Sequence, residues 1–93
     1  MARFTVELSP RALEDVQALS PEVAARIVRT LRQLEGSPFP RGETVKHLHG
    51  FGTPTYRLRI GDYRAVYRIY GTVVGILRII KRSELERALR DLV

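Results

Sequence analysis

The sequence predicts an α+β fold in which a mostly antiparallel four-stranded sheet packs on an N-terminal helical hairpin. A short helix ends the chain, and the element order is β-α-α-β-β-β-α. Two Ser-Pro pairs open consecutive helical patterns in the first half of the chain. Strand patterns separated by short glycine-containing turns follow in the second half. With 93 residues the chain can bury one modest core, so we expect a single domain over residues 1–93.

The N-terminal half begins with a strand pattern and continues with two helical patterns. Residues 3–8 alternate between apolar and polar side chains, as a half-buried strand does. Ser9 and Ser20 each precede a proline, and a serine N-cap before proline is a helix start signal. Gly36 marks the end of the second helix. The apolar positions with helical spacing are Leu13, Val16 and Leu19, then Val23, Ile27, Leu31 and Leu34.

The C-terminal half is organised around a predicted hairpin. Residues 56–60 and 63–69 are joined by a Gly-Asp pair, and glycine in the first position suits a type II′ turn. Residues 73–80 are apolar on both faces, which predicts a central strand. Residues 44–51 have two possible interpretations, a strand that leads into the sheet or a loop, because nearby glycines limit the length of any strand.

A final short helix is predicted from residue 83 onward. The run Ser-Glu-Leu-Glu at 83–86 matches a capping box, and Leu85, Leu89 and Leu92 share one side of the helix. Because about ten residues form a marginal helix without packing, we expect this helix to be the most mobile element.

Composition excludes several classes of function. The chain has no cysteine, so disulfides and thiolate chemistry are excluded. It has no Gly-rich phosphate loop and no metal-ligand spacing, so we expect neither a cofactor nor a metal. Glu7 stands where a secretory leader needs an apolar core, and no apolar run approaches the ~20 residues of a membrane span. We therefore expect a cytoplasmic protein without a membrane partner.

The distribution of charge points to a polyanion. The formal net charge is +6, and residues 41–82 hold nine basic side chains against two acidic ones. A basic face of this kind is the footprint of a polyanion partner, most often nucleic acid. A merely solvated surface is the alternative, but it would mix the signs more evenly.

The predicted hairpin places like charges together on one face. Its register pairs Arg59 with Arg64 and sets Arg57 beside Val66, with Arg68 further along. Directly opposed like charges destabilise a strand pair by up to about 1 kcal/mol, and phosphates would supply the compensating charge. The alternative is that Arg59 and Arg64 splay into solvent, where screening weakens their repulsion. On or near the same surface we also expect Arg78, Lys81 and Arg82.

Two features of the C-terminal half resemble the signature of the RelE/ParE superfamily of toxin–antitoxin toxins. The first is the run at 56–67, which reads Tyr-Arg-Leu-Arg-Ile-Gly-Asp-Tyr-Arg-Ala-Val-Tyr. The second is the apolar strand that follows it and ends in Lys81-Arg82. The element order is similar over nearly the whole chain. The resemblance implies one of two activities. Members of the RelE branch cleave messenger RNA in the ribosomal A site without metal, whereas members of the ParE branch poison DNA gyrase.

For a RelE-like nuclease, the resemblance implies roles for individual residues. Arg64 stands where the family has its most recurrent catalytic arginine and would stabilise the transition state. Lys81 and Arg82 fall where a basic residue or histidine contributes to acid catalysis. Glu43 has the spacing to a Lys-His pair seen in members that use a glutamate as base. The expected phosphate-binding residues are Arg57, Arg59, Lys46 and Arg68.

Two departures from the family pattern bear on this activity. Arginine, with a pKa above ~12, is a poor general base, so Arg57 and Arg59 cannot take over the role of a lysine. Many nucleolytic members also carry a tyrosine or histidine shortly after the basic pair, where this chain has Glu86, which the capping box explains better. His47 and His49 are further candidates for proton transfer. They and Glu43 could equally belong to a polar loop.

The leading functional hypothesis is a ribosome-dependent mRNA endoribonuclease that acts by metal-independent 2′-hydroxyl attack. A ParE-like gyrase inhibitor and a catalytically degenerate RNA-binding member are the alternatives. The resemblance implies two partners, a cognate antitoxin and mRNA on the ribosome. An acidic, disordered or helical antitoxin segment is expected to wrap the helices and sheet, and it could remove the final helix.

Overall fold

The structure is a computed structural model that describes residues 3–92, and it confirms the α+β class. Residues 1, 2 and 93 of the expected domain lie outside this range. The main elements are β1 (Thr5–Leu8), α1 (Pro10–Gln17), α2 (Pro21–Leu31), β2 (Val45–Leu48), β3 (Thr55–Ile60), β4 (Tyr63–Tyr70), β5 (Val73–Lys81) and α3 (Leu85–Arg90). Short 3₁₀ turns at Arg32–Glu35 and Arg82–Glu84 follow α2 and precede α3.

The sheet has five strands in the order β1-β5-β4-β3-β2. The prediction of four strands is therefore wrong by one, because residues 45–48 pair antiparallel with β3 at the sheet edge. β1 runs parallel to β5, and the other neighbours are antiparallel. The interior position predicted for β5 is confirmed, since it lies between β1 and β4.

Serine caps start both N-terminal helices, as predicted. Ser9 Oγ accepts a hydrogen bond from the amide of Ala12 in α1 at 3.0 Å. Ser20 Oγ accepts one from the amide of Val23 in α2 at 3.4 Å. The apolar stripe of α1 differs from the prediction. The helix buries Ala12 and Val16, whereas Leu13 is 45% exposed, because residues four apart, not three, align toward the sheet here.

Helices cover the two faces of the sheet unequally. The core face, covered by α1 and α2, buries the main cluster around Ile27, Leu58 and Tyr67. On the opposite face, α3 covers a smaller cluster centred on Val66 and Ile80. We call this second face the arginine face, because it carries Arg57, Arg59 and Arg64.

The capping box predicted for the last helix is not formed. The residue at the start of α3 is Glu84, and its side chain makes no capping hydrogen bond. Residues 82–84 form a 3₁₀ turn instead, which moves the start of the helix beyond Ser83. Glu86 is consequently exposed and lines a shallow cavity of about 320 Å³ together with His49 and Leu89.

Helix α1 closes the part of the β5 edge that β1 does not reach. Ser9 Oγ donates to the carbonyl of Leu77 at 3.1 Å. Further along, the Asp15 carboxylate accepts the amide of Ile79 at 2.9 Å and two hydrogen bonds from Arg78, at 2.8 and 3.1 Å. The β5 backbone is thereby satisfied by side chains where no strand is available. In the part of the chain described, no helix has the length and apolarity to cross a membrane.

Candidate anion-binding site on the arginine face

The hairpin register agrees with the prediction at every paired position. Tyr56 pairs with Tyr67, Leu58 with Ala65, and Arg59 with Arg64, while Arg57 lies opposite Val66. Gly61 has a φ of +56°, and no other residue of this turn has a positive φ, as the predicted type II′ turn requires. The arginine pair is therefore a real feature of the sheet.

Arg64 is nearly buried, with 7% of its surface exposed. Its Nη1 donates hydrogen bonds to the main-chain carbonyls of Gly61 and Tyr63, both at 2.9 Å. The turn before the strand thus holds the guanidinium in one position. The alternative in which both arginines splay into solvent is wrong for Arg64, whereas Arg59 is exposed.

Three other arginines surround the Arg64 guanidinium. Burial lowers the pKa of Arg64, and the positive charges of Arg57, Arg82 and Arg59 lower it further, in that order, while Asp62 opposes them weakly. We call these four residues, Arg57, Arg59, Arg64 and Arg82, the arginine cluster. Within residues 3–92, no member of the cluster forms an ion pair with a carboxylate. Such a site favours binding of an anion, which would relieve the mutual repulsion.

The backbone of the preceding loop fixes one side of the cluster. Arg57 Nη1 donates to the carbonyl of Glu43 at 2.8 Å and to that of Thr44 at 3.4 Å. The Arg59 amide also donates to the Thr44 carbonyl, at 2.8 Å. These hydrogen bonds use only the Nη1 atom of the Arg57 guanidinium, so the other N–H groups of this side chain can bind a ligand.

Glu43 and Lys46 form an ion pair beside this loop. Lys46 Nζ lies 3.1 Å from Glu43 Oε1, and this hydrogen-bonded contact lowers the pKa of Glu43, with smaller contributions from Arg57 and Arg59. A general base works best when its pKa is near the operating pH. The environment of Glu43 therefore makes it a weaker base than an isolated glutamate.

Lys81 and Arg82 are adjacent at the end of β5, but their side chains lie on different sides of the sheet. Lys81 pairs with Tyr63, whose side chain packs against the helical core, so the sheet separates Lys81 from the arginine cluster. The Arg82 amide donates to the carbonyl of Asp62 at 2.8 Å, which anchors this residue beside the turn. Both residues line a shallow cavity of about 360 Å³ with Asp62, Tyr63 and Ser83.

Two more basic residues of the predicted surface lie away from the cluster. Arg68 shares the face of Arg64, but it is four residues further along β4, about 13 Å away. Its Nε donates to Thr55 Oγ1 at 3.0 Å. Arg78 is engaged by Asp15, and these hydrogen bonds raise its pKa. Neither Arg68 nor Arg78 contributes to the charge around Arg64.

The two histidines lie at the end of β2 and contact each other. The His47 and His49 ring centroids are 4.6 Å apart, and His47 also contacts Tyr56 at 5.3 Å. Tyr56 pairs with Tyr67 from the core cluster, which places His47 on the opposite face from Arg64, whereas His49 follows the strand and lines the cavity beside α3. No group of three or more metal-binding side chains occurs within the described part of the chain.

The arrangement can bind and stabilise a phosphate group that gains negative charge. The charges of Arg57, Arg59 and Arg82 act on Arg64, whose guanidinium is held by main-chain carbonyls. Sequence reasoning missed the two carbonyls of Gly61 and Tyr63 that hold Arg64. The sequence shows only that a short turn precedes this arginine, and it does not show in which direction the carbonyls of that turn point.

Comparison with known proteins identifies the family. Residues 6–86 match the family model of the ParE toxin of type II toxin–antitoxin systems. A protein of Methanocaldococcus jannaschii that bears the name toxin RelE1 is 31% identical over 84 residues, which cover 88% of this chain and 92% of that protein.

Two solved structures are similar to this fold. The archaeal RelE–RelB complex from Pyrococcus horikoshii matches with a TM-score of 0.71 and 30% identity, covering 86% of this chain and 96% of the other. The toxin–antitoxin complex RelBE2 from Mycobacterium tuberculosis matches with a TM-score of 0.74 and 31% identity, covering 86% and 99%. The chain therefore belongs to the ParE toxin family of type II toxin–antitoxin systems, within the RelE/ParE superfamily.

Proposed function

We propose that this toxin is a ribosome-dependent endoribonuclease that cleaves messenger RNA. The observation that carries the proposal is the arginine cluster around a nearly buried Arg64, which has no ion-pair partner within residues 3–92. A phosphodiester that passes through a phosphorane gains negative charge, and guanidinium groups stabilise that charge.

In the proposed reaction, the 2′-oxygen of a nucleotide attacks the adjacent phosphorus. The bond from phosphorus to the 2′-oxygen forms while the bond to the 5′-oxygen breaks, which gives a 2′,3′-cyclic phosphate and a free 5′-hydroxyl. The Glu43 carboxylate accepts the proton of the 2′-hydroxyl, and a water molecule supplies the proton that the departing 5′-oxygen takes up. Arg64 contacts the non-bridging oxygens, and Arg82 stabilises the departing oxygen.

The proposed phosphate contacts of the RNA are Arg57 and Arg59. Lys46 shares their face and stands opposite Arg57, so it extends the track toward the β2 edge. Arg68 and Lys81 are assigned peripheral RNA contacts, because they lie outside the arginine cluster. Glu43 is assigned as the base, because its main-chain carbonyl accepts a hydrogen bond from Arg57 and its carboxylate feels the charge of Arg57, although its lowered pKa makes unassisted proton removal slow. This is consistent with a requirement for the ribosome.

We further infer that a cognate antitoxin holds the toxin inactive. Similar toxins from Pyrococcus horikoshii and Mycobacterium tuberculosis are solved as complexes with their antitoxins. The net charge of +6 favours an acidic antitoxin segment for this chain.

Inhibition of DNA gyrase by binding is the second candidate function. Two observations favour it: the matching family model is that of the ParE toxin, and the proposed base has a lowered pKa. A gyrase inhibitor has no need of a rigid arginine cluster, which is why we rank this function second.

The test is to map RNA 5′ ends in cells that express this chain alone, beside an Arg64→Ala variant. We expect new ends inside translated codons that disappear with Arg64→Ala. Growth arrest with gyrase-dependent DNA breaks and without such RNA ends would reject the nuclease and support the second candidate. If neither effect occurs with the folded wild-type chain, both activities are rejected, and a binding module without catalysis remains.

A further inference from the structure

A shallow cavity lies at the end of the sheet, beside the turn that joins β3 and β4. It has a volume of about 360 Å³. Its lining residues are Asp62, Tyr63, Lys81, Arg82 and Ser83. Lys81 reaches the cavity from the core-face side, where its ladder partner Tyr63 packs. The charge of Arg82 acts on Arg64, which lies on the arginine face. The cavity therefore connects the arginine cluster with the opposite side of the sheet.

Basic side chains continue past the turn onto the core-face side. Lys81 is exposed there, and the Arg26 guanidinium lies against the turn, since a Cβ at Gly61 would be 3.5 Å from Arg26 Nη2. Helix α2, which carries Arg26, covers the core face, so Arg26 and Lys81 lie on the same side of the sheet. Within residues 3–92, neither side chain forms an ion pair with a carboxylate. Positive charge of this kind favours an anionic ligand at the turn.

The cavity also presents a hydrogen-bond acceptor beside its cation. Asp62 is exposed, and its main-chain carbonyl accepts the Arg82 amide at 2.8 Å, which fixes the backbone from which its side chain extends. A carboxylate repels a phosphate, but it accepts hydrogen bonds from hydroxyl groups. Asp62 therefore suits a ribose hydroxyl, and Lys81 suits a phosphate. A nucleotide within an RNA strand carries these two groups side by side, because its 2′-hydroxyl adjoins the oxygen that bears the 3′-phosphate.

The proposed reaction determines which nucleotide lies beside the cavity. Arg82 is assigned to the departing 5′-oxygen, and this oxygen belongs to the nucleotide on the 3′ side of the cut. Because Arg82 also lines the cavity, the leaving nucleotide is the one next to it. Lys46 and Arg57 pair across β2 and β3, at the other end of the strand order, so they are left for the upstream part of the RNA.

We propose that the cavity at the turn holds the leaving nucleotide. Lys81 binds the phosphate 3′ to the scissile one, Arg26 is a second contact to it, and Asp62 accepts the ribose 2′-hydroxyl. The RNA then crosses the arginine face with its 5′ part at the β2 edge and its 3′ part over the hairpin turn. This inference rests on the proposed nuclease function, and it adds the direction of the strand and a role for α2.

The test measures binding of the chain to ribosomes programmed with modified mRNAs, at the cut position mapped in cells. The first mRNA has a 2′-deoxy nucleotide before the scissile bond, which blocks the attack and keeps the strand intact. The second also carries a neutral methylphosphonate in place of the phosphate 3′ to the scissile one. Lys81→Met should weaken binding of the first mRNA about threefold, as an exposed ion pair contributes, and leave binding of the second unchanged. Arg26→Met should show the same pattern with a smaller change.

A third mRNA tests the acceptor, because its leaving nucleotide also lacks the 2′-hydroxyl. The parent chain should bind it more weakly than the first mRNA, whereas Asp62→Ala should bind the two equally. A loss that persists in Asp62→Ala would reject the assigned contact to the ribose.

Two matched controls come from the same chain. Lys46→Met removes the same side chain as Lys81→Met at the upstream end of the site, so it should weaken binding of the first two mRNAs equally. Arg29 is exposed on α2, about one turn beyond Arg26, so Arg29→Met should change neither affinity. Thermal unfolding of each variant verifies that the fold is intact.

Two binding results would overturn the inference. One is an effect of Lys81→Met that is the same on the first two mRNAs, because Lys81 would then not contact the downstream phosphate. The other is a loss for Lys46→Met that disappears with the methylphosphonate, because the strand would then run in the opposite direction. If the wild-type chain cuts mRNA in cells and these couplings are missing, the inference alone is rejected. If the folded wild-type chain makes no cuts, the nuclease and this inference are rejected together.

Discussion

Arg59 and Arg64 lie directly opposite each other on β3 and β4, and they differ in exposure. Arg59 extends into solvent, whereas Arg64 turns back to hydrogen-bond the carbonyls of Gly61 and Tyr63. Those bonds offset part of the like-charge repulsion of the pair. The result is one guanidinium held by hydrogen bonds and one solvent-exposed guanidinium on the same surface. This combination suits a site that must both position a phosphate and admit it.

Removing a phosphate contact should reduce the salt dependence of RNA binding. In the proposed site Arg59 neutralises one phosphate, so Arg59→Ala should lower the slope of log affinity against log salt concentration by about 0.7 for single-stranded RNA. The measurement is a fluorescence titration with a short RNA at several salt concentrations. Arg68→Ala removes the same charge outside the cluster and should change the slope less. Equal changes for the two variants would contradict the location of the site.

Loss of the Asp15 carboxylate should destabilise the fold. Asp15 accepts two hydrogen bonds from Arg78 and one from the amide of Ile79, and the Arg78 side chain is only 16% exposed. Asp15→Asn should therefore lower the free energy of unfolding by about 2 kcal/mol, measured by urea denaturation. Glu14→Gln removes a charge from an exposed neighbour and serves as the control. A loss no greater than that of Glu14→Gln would show that the edge closure contributes little stability.

Alkaline pH should destabilise the fold through Tyr67. Burial raises the pKa of Tyr67, and its hydroxyl donates to the buried carbonyl of Pro38 at 2.7 Å. The unfolded chain ionises this tyrosine near the ordinary pKa of 10.0, whereas the folded chain does not. The contribution is therefore complete below pH 10.0 and is lost as the pH rises above it. Urea denaturation across this range should show a shallower decline for Tyr67→Phe than for Tyr70→Phe, whose parent tyrosine is exposed. Identical declines would contradict this role of Tyr67.

Helix α3 should be the most mobile element of the free protein. It has six residues, lacks a side-chain cap, and packs on the smaller of the two apolar clusters. Amide hydrogen exchange should therefore be fastest there among the helices and strands. Protection in α3 equal to that of β4 would show that the helix is as stable as the sheet.

The hairpin could be predicted from the sequence in detail because its determinants are local. Alternating side chains and the Gly61-Asp62 turn fix the register, so the pairing of Arg59 with Arg64 followed directly. β2 could not be predicted with the same clarity, because it has only four residues and depends on the edge of β3 for its hydrogen bonds.

Non-local contacts account for what the sequence did not reveal about the site. Arg78 appeared available for RNA, yet it is bound by Asp15, which precedes it by 63 residues. Lys81 is adjacent to Arg82 in sequence, but its ladder pairing with Tyr63 directs it to the other face. The position of the Arg64 guanidinium depends on carbonyl directions in the turn, which a residue pattern does not encode.

The most direct test of the central claim is cleavage of mRNA in a purified translation system without other nucleases. The wild-type chain should cut ribosome-bound mRNA and leave a 2′,3′-cyclic phosphate. Arg64→Ala should reduce the cleavage rate by about 100-fold or more, because it removes the fixed charge at the phosphate. Arg64→Lys should restore only part of the rate, because lysine keeps the charge but not the planar fork. Cleavage by Arg64→Ala at the wild-type rate, or no cleavage by the folded wild-type chain, would contradict the account.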